Sequence, residues 1–120
     1  MFPEWPRRSV NETQRIFDLH VSIARAEPAC VAPVPQAWDL SLARHPTLFL
    51  HDDDGNHSNP RGAFLAALVI ATTITGVPPD TLPTLPIDGV DADQQAMLRR
   101  IAAETVLAYD PRQYCPADPL

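Results

Sequence analysis

Asp54 and His57 stand three residues apart on Asp54-Gly55-Asn56-His57, directly ahead of Ser58-Asn59-Pro60-Arg61-Gly62 and a long apolar stretch. That pairing suits hydrolytic chemistry. A neutral imidazole takes a proton from a hydroxyl through one nitrogen while its other nitrogen keeps a proton and is held by an acceptor. Asp54 is near enough for a turn to carry its carboxylate to that second nitrogen, and Gly55 permits the sharp backbone such a turn needs. His57 is therefore the candidate general base and Asp54 its orienter.

Two other readings of the turn stay open. Asp52-Asp53-Asp54-Gly55-Asn56 is ordinary loop chemistry, and acidic residues ahead of a helix are favoured by its dipole. His51, Asp52, Asp53, Asp54 and His57 also put hard and borderline metal ligands in one run. A calcium loop of the EF-hand type registered on Gly55 fails, because Leu50 falls at its first ligand position and Arg61 at its last. The run has no recognisable zinc spacing either.

The elements around the turn follow from caps and periodicity. Asn59 caps a helix and Pro60 suits its first position. Residues 63–74 are apolar almost all round, so this helix is expected to be deeply buried, with Gly76 ending it. Upstream, Asn11 reads as an N-cap and Gln14 as the closing residue of a capping box. A stripe of Ile16, Leu19, His20 and Ile23 continues to about Ala26. Residues 29–34, apolar and bounded by prolines, read as a strand buried on both faces. Residues 36–43 form a short helix carrying Trp38 and Leu42, and residues 47–50 a strand end or a buried loop. A Pro-rich crossing over 77–89 leads to a last helix over 92–108, capped by Asp91, with Met97, Leu98, Ile101, Ala102 and Thr105 as its stripe. The tail from 111 to 120 reads as frayed. The whole, residues 1–120, is one small domain. A lone buried strand needs neighbours for its backbone hydrogen bonds, and this sequence supplies none. The inventory suggests part of an α/β protein.

All nine basic residues are arginine, eleven of the fifteen acids are aspartate, and the formal charge is -6. Such a chain is poorly suited to nucleic acid or to anionic membranes. No apolar run reaches the length of a membrane span, and the N-terminus has no signal-peptide pattern, which leaves localisation open. Cys30 reads as a small buried hydrophobe and Cys115 as exposed, two thiols that make neither a disulfide framework nor a zinc motif. Trp38 reads as core, His20 as a core or boundary residue, and His45, His51 and Arg61 as surface residues.

Residues 54–67 resemble the last block of the SGNH hydrolases, also called GDSL-type esterases and lipases. That block runs Asp-x-x-His, a segment of small residues and proline, then glycine and an apolar helix. Trp5, the helix with Gln14, residues 29–34 and Ala37-Trp38 extend the likeness over residues 5–76, and the last helix continues it more weakly. The resemblance implies a flavodoxin-like three-layer α/β/α sandwich, of which this chain is a helix-rich portion with one or two short parallel strands. It implies hydrolysis of small esters or other acyl compounds without a cofactor, with His57 as base and Asp54 as orienter, in a family often exported. The chain departs from the family elsewhere. It has no Gly-Asp-Ser nucleophile block, no oxyanion-hole glycine and no Gly-x-Asn-Asp block; its glycines are Gly55, Gly62, Gly76 and Gly89. Ser9, Ser22, Ser41 and Ser58 stand on no strand-to-helix turn, where an exposed nucleophile belongs. The expectation is a C-terminal hydrolase segment that is inactive alone, since triad members act as a unit. A separate N-terminal chain would complete it, or the chain would self-associate through exposed apolar surface. A non-catalytic binding or interaction module is the alternative, and a metal-binding protein using the turn from His51 to His57 is a further one.

Overall fold

The computed structural model describes residues 1–115. In chain order these hold α1 (Thr13–Ala26), α2 (Val34–Arg44), α3 (Pro60–Thr75), a single 3₁₀ turn (Pro79–Thr81) and α4 (Ala92–Ala108). The described residues contain no strand and no sheet, so the expected α/β/α sandwich is not the fold: the domain is helical. The one strand-like pairing is an antiparallel bridge between His51 and Ser58.

The stretch at 29–34 explains that correction. It is buried as expected, with Val31 and Ala32 almost fully enclosed. Its backbone groups, however, find partners in the two ends of the chain instead of in neighbouring strands. Val31 N–H donates to the Pro111 carbonyl at 2.9 Å and Ala32 N–H to the Met1 carbonyl at 3.0 Å. The N-terminal ammonium donates to the Cys30 carbonyl at 2.6 Å. Pro33 carries no N–H, and Val34 N–H donates to the Ala32 carbonyl at 2.8 Å, so the segment has few donors left to place. Hydropathy reports burial, and here burial comes without a ladder.

The two cysteines also differ from expectation. Cys30 and Cys115 form a disulfide, and Cys115 is buried. The bridge ties the segment between α1 and α2 to the turn after α4, so residues 111–115 are pinned in place. Residues 116–120, the rest of the expected tail, lie outside the described residues.

The core lies where α2, α3 and α4 pack on one another, around Trp38, Leu50, Leu65, Val69, Leu98 and Ile101. Helix α4 keeps its expected bounds because its ends are chemically marked. The Asp91 side chain accepts from Gln94 N–H, and the Gln94 side chain accepts from Asp91 N–H. Helix α3 starts at Asn59 and Pro60 and stops at Gly76, which is left-handed at φ 71°. One face of it remains outside: Ala63, Ala67, Ala71 and Ile74 are exposed. Helix α1 packs on α2 alone among the helices. Its buried residues are Thr13, Val21 and Ala24, while Leu19 and Ile23 of the expected stripe face solvent. Its capping box does not form; Glu12 occupies the cap, and the Gln14 amide donates to Asp18 at 2.7 Å instead.

Candidate active site

A short loop between Leu50 and Asn59 carries Asp54 and His57, and its neck is closed by backbone bonds. Asn59 N–H donates to the Leu50 carbonyl at 2.9 Å and Asp52 N–H to the His57 carbonyl at 2.8 Å. At the tip, Gly55 adopts φ 68°, a left-handed conformation open to glycine at little steric cost. Asp54 Oδ1 accepts from the backbone N–H of Asn56 at 2.9 Å and of His57 at 3.0 Å. Asp54 Oδ2 faces His57 Nδ1 at 2.5 Å.

The electrostatics of this pair follow from its hydrogen bonds. The bond from His57, then those from the two backbone amides, hold the Asp54 carboxyl well below the usual carboxylate range. An ionised carboxylate only accepts, so the shared proton belongs to His57 Nδ1. That tautomer leaves Nε2 as the basic nitrogen. The Asp54 hydrogen bond and charge, with smaller contributions from Asp52 and Glu4, raise the His57 pKa above its ordinary 6.5. The side chain of His57 is 76% exposed, so Nε2 is open to a partner from outside.

The scaffold beneath the loop comes from both directions of the chain. Downstream, Asn59 Oδ1 accepts from Arg61 N–H and Gly62 N–H, and its Nδ2 donates to the carbonyls of Phe49 and His51. Arg61, expected at the surface, lies partly covered and donates from Nε to the Phe49 carbonyl at 2.8 Å. Upstream, the irregular N-terminal segment acts as a clamp. Trp5 Nε1–H donates to the Asn56 carbonyl at 3.0 Å, Arg8 N–H to the Gly55 carbonyl at 2.8 Å, and Arg8 Nη2 to the Asp52 carbonyl at 2.6 Å. Trp5 stacks flat on Trp38, the largest fully buried side chain, with ring centroids 4.5 Å apart.

Sequence reasoning missed this clamp, because residues 5–8 carry no periodicity and meet the loop across some 50 positions of chain. It also placed His51 at the surface. His51 is buried, donates from Nε2 to the Pro6 carbonyl at 2.9 Å, and sets its ring edge-on against Trp38. The packing role of Gly62 was missed too. A Cβ there would lie 2.3 Å from the Leu50 carbonyl oxygen and 2.6 Å from the Trp38 ring, so only glycine fits. The one available signal was its place in the first turn of a proline-started, apolar helix.

No serine completes a triad within the described residues. Ser22 donates its hydroxyl to the Leu19 carbonyl, and Ser41 is fully buried. Ser9 sits on the N-terminal segment with φ 62°, and Ser58 follows the histidine directly. No side chain among the described residues hydrogen bonds His57 Nε2. An open cleft of about 540 Å³ between the N-terminal segment and α2 is walled by Arg8, Trp38, Leu42, Phe49 and His51, and neither Asp54 nor His57 lines it. The acidic run does not converge on a metal-sized point either: no group of three or more potential ligands forms among the described residues. No helix among them is long and apolar enough to cross a membrane. No protein-family model, curated protein or solved structure matches the chain.

Proposed function

We propose that this chain carries the base and orienter of a serine acyl hydrolase of the SGNH type and is completed by a nucleophile from outside its described residues. The observation that carries this reading is the Asp54–His57 pair: one carboxylate oxygen locked by two backbone amides, the other 2.5 Å from Nδ1. A loop without such a task has little reason to fix a histidine tautomer and leave the opposite nitrogen free. In the completed site Nε2 takes the proton of a serine hydroxyl as it attacks the acyl carbon, and later returns it to the leaving alcohol. Asp54 stays ionised and stabilises the imidazolium formed between the two steps. Substrates are small esters or related acyl compounds.

The alternative is a non-catalytic binding module, favoured by one feature: neither Asp54 nor His57 lines the clefts of about 540, 560 and 800 Å³, although the last reaches Asn56. A fluorophosphonate probe separates the two, because it labels only a serine activated by a base. A tagged copy of the chain, expressed in its source cells, should be recovered with a labelled serine, and His57→Ala should remove that label. The purified 120-residue chain should take up no probe and turn over no p-nitrophenyl acetate. Absence of any labelled serine from the recovered material refutes the reading, as does labelling that survives His57→Ala.

A further inference from the structure

A second cleft, of about 560 Å³, opens where the start of α1, the first turns of α2 and the end of α4 meet. Gln36 and Thr13 line it, and three of their polar atoms have no hydrogen-bond partner among the described residues: both amide atoms of Gln36 and the Thr13 hydroxyl. Gln36 is 7% and Thr13 8% exposed. Buried polar side chains in folded proteins are nearly always partnered, so an unpartnered buried amide signals a group kept for something else. Here two such residues, from different helices, face one opening.

We propose that this cleft binds a neutral saccharide. Its chemistry narrows the ligand in three ways. Amide and hydroxyl groups both donate and accept, as sugar hydroxyls do. The charges on the rim disfavour anions: Asp39 has no cationic partner among the described residues, and Glu104 engages nearby Arg44 through both its oxygens. Tyr109 supplies an aromatic face, 43% exposed, with its ring held edge-on by Phe17 at 5.9 Å. Such a ring receives the C–H side of a pyranose while its edges stay hydrated. The volume lies in the ordinary range for small-ligand sites. The unpartnered atoms lie just behind the cleft wall, each with less than 1 Å² accessible. A turn of the flexible Gln36 side chain, whose last torsion is broad, brings the amide to the ligand. None of the cleft residues belongs to the loop of Asp54 and His57, so the proposal stands independently of the hydrolase reading.

Titration of the ¹⁵N-labelled chain with cellobiose, xylobiose and N,N′-diacetylchitobiose tests it. At least one disaccharide should shift the Gln36 side-chain amide and the Thr13 and Tyr109 resonances to saturation. Gln36→Leu should abolish those shifts while the melting temperature holds or rises, because it removes a polar group that the free protein leaves unpaired. Asp39→Asn, an exposed change that leaves the core untouched, should weaken binding by roughly tenfold, the loss of one charge-assisted hydrogen bond. It reports on the cleft even if Gln36→Leu fails to fold. The proposal is overturned if no disaccharide moves these resonances, or if glucose 6-phosphate or triglycine moves them equally well. Binding that survives both substitutions, or a Gln36→Leu chain that melts earlier and never bound sugar, overturns it as well.

Discussion

Asp54, half exposed at the tip of its loop, has both carboxylate oxygens engaged, whereas Gln36, buried in α2, has both amide atoms free of partners. Water would serve Asp54 at little cost, yet the loop binds it three times. Gln36 is shielded from solvent, and no described residue hydrogen bonds its side chain. Satisfaction in excess at an exposed site holds one geometry in place, which is what a proton-transfer pair needs. Unmet hydrogen bonding at a buried site stores capacity for a ligand. The supports differ in the same sense. The loop is held by nearby backbone bonds and by residues 5–8, while the Gln36 cleft depends on how three helices are tied together.

The largest expected effect separates the two by removing that tie. The Cys30–Cys115 bridge closes a loop with a sequence separation of 85. In the chain-entropy view, closing a loop of that length stabilises the fold by about 4.5 kcal/mol. Cys115→Ser, or reduction with dithiothreitol, should therefore lower the melting temperature by far more than any surface change. Below that temperature the reduced chain should lose order first around the Gln36 cleft, whose α1 and α4 walls adjoin the bridged segments, and last at Asp54 and His57. A melting temperature indifferent to reductant would show that the bridge contributes nothing. Bridges of this kind persist in oxidising compartments, so the same measurement bears on where the chain works.

Gly62→Ala is next. The added methyl would meet the Leu50 carbonyl, a backbone group already engaged by Asn59 N–H, and the Trp38 ring, already stacked on Trp5 and met edge-on by His51. Neither neighbour has room to retreat, and overpacking of this severity costs about 3 kcal/mol. Chemical denaturation measures it, and a loss below about 1 kcal/mol would mean that the helix shifts freely against Trp38. Asn59→Ala follows at about 2 kcal/mol, the upper end for a lost N-cap, because its amide also donates to two loop carbonyls. Unlike reduction of the disulfide, this change should disorder the loop and leave the Gln36 cleft intact.

These residues mark what the sequence could and could not convey. Asp91 with Gln94, and Asn59 with Pro60 and Gly76, act within a few positions of themselves, so the bounds of α3 and α4 were legible. The approach of Asp54 to His57 was legible for the same reason, since three residues and a glycine determine it. Residues 29–34 were misread because an apolar run bounded by prolines reports burial without naming its partners, which here are Met1 and Pro111. The buried faces of α1 were misread because it meets only α2, so its apolar stripe had no obligation to turn inward. Cys30 with Cys115, and Trp5 and Arg8 with the loop, join distant positions through geometry that no local pattern encodes. The unpartnered state of Gln36 is a property of packing alone.

The smallest expected effect in energy is the sharpest for chemistry. Asp54→Asn keeps an oxygen able to accept from Asn56 N–H and His57 N–H, so the loop should hold its shape. It replaces the oxygen facing Nδ1 with a group that donates when the amide is oriented to serve the backbone. The His57 ring must then turn, or protonate Nε2 in place of Nδ1, and in either case the base is misdirected. The pKa signs follow. Because the folded value of His57 is raised, its pairing stabilises the fold fully below pH 6.5, and that contribution fades as pH rises through the folded value. Asp54, with a lowered value, contributes above pH 3.8 and loses that contribution as pH falls through its folded value. Only neutral His57 accepts a proton, so activity of the completed site should rise with pH through a midpoint above 6.5. An NMR titration of the His57 ring reads that midpoint without any substrate or partner, and Asp54→Asn should bring it back toward 6.5. If His57 titrates identically in the two chains, the carboxylate does not govern the imidazole. The loop would then be as undemanding as its exposure suggests, and its contrast with Gln36 would dissolve.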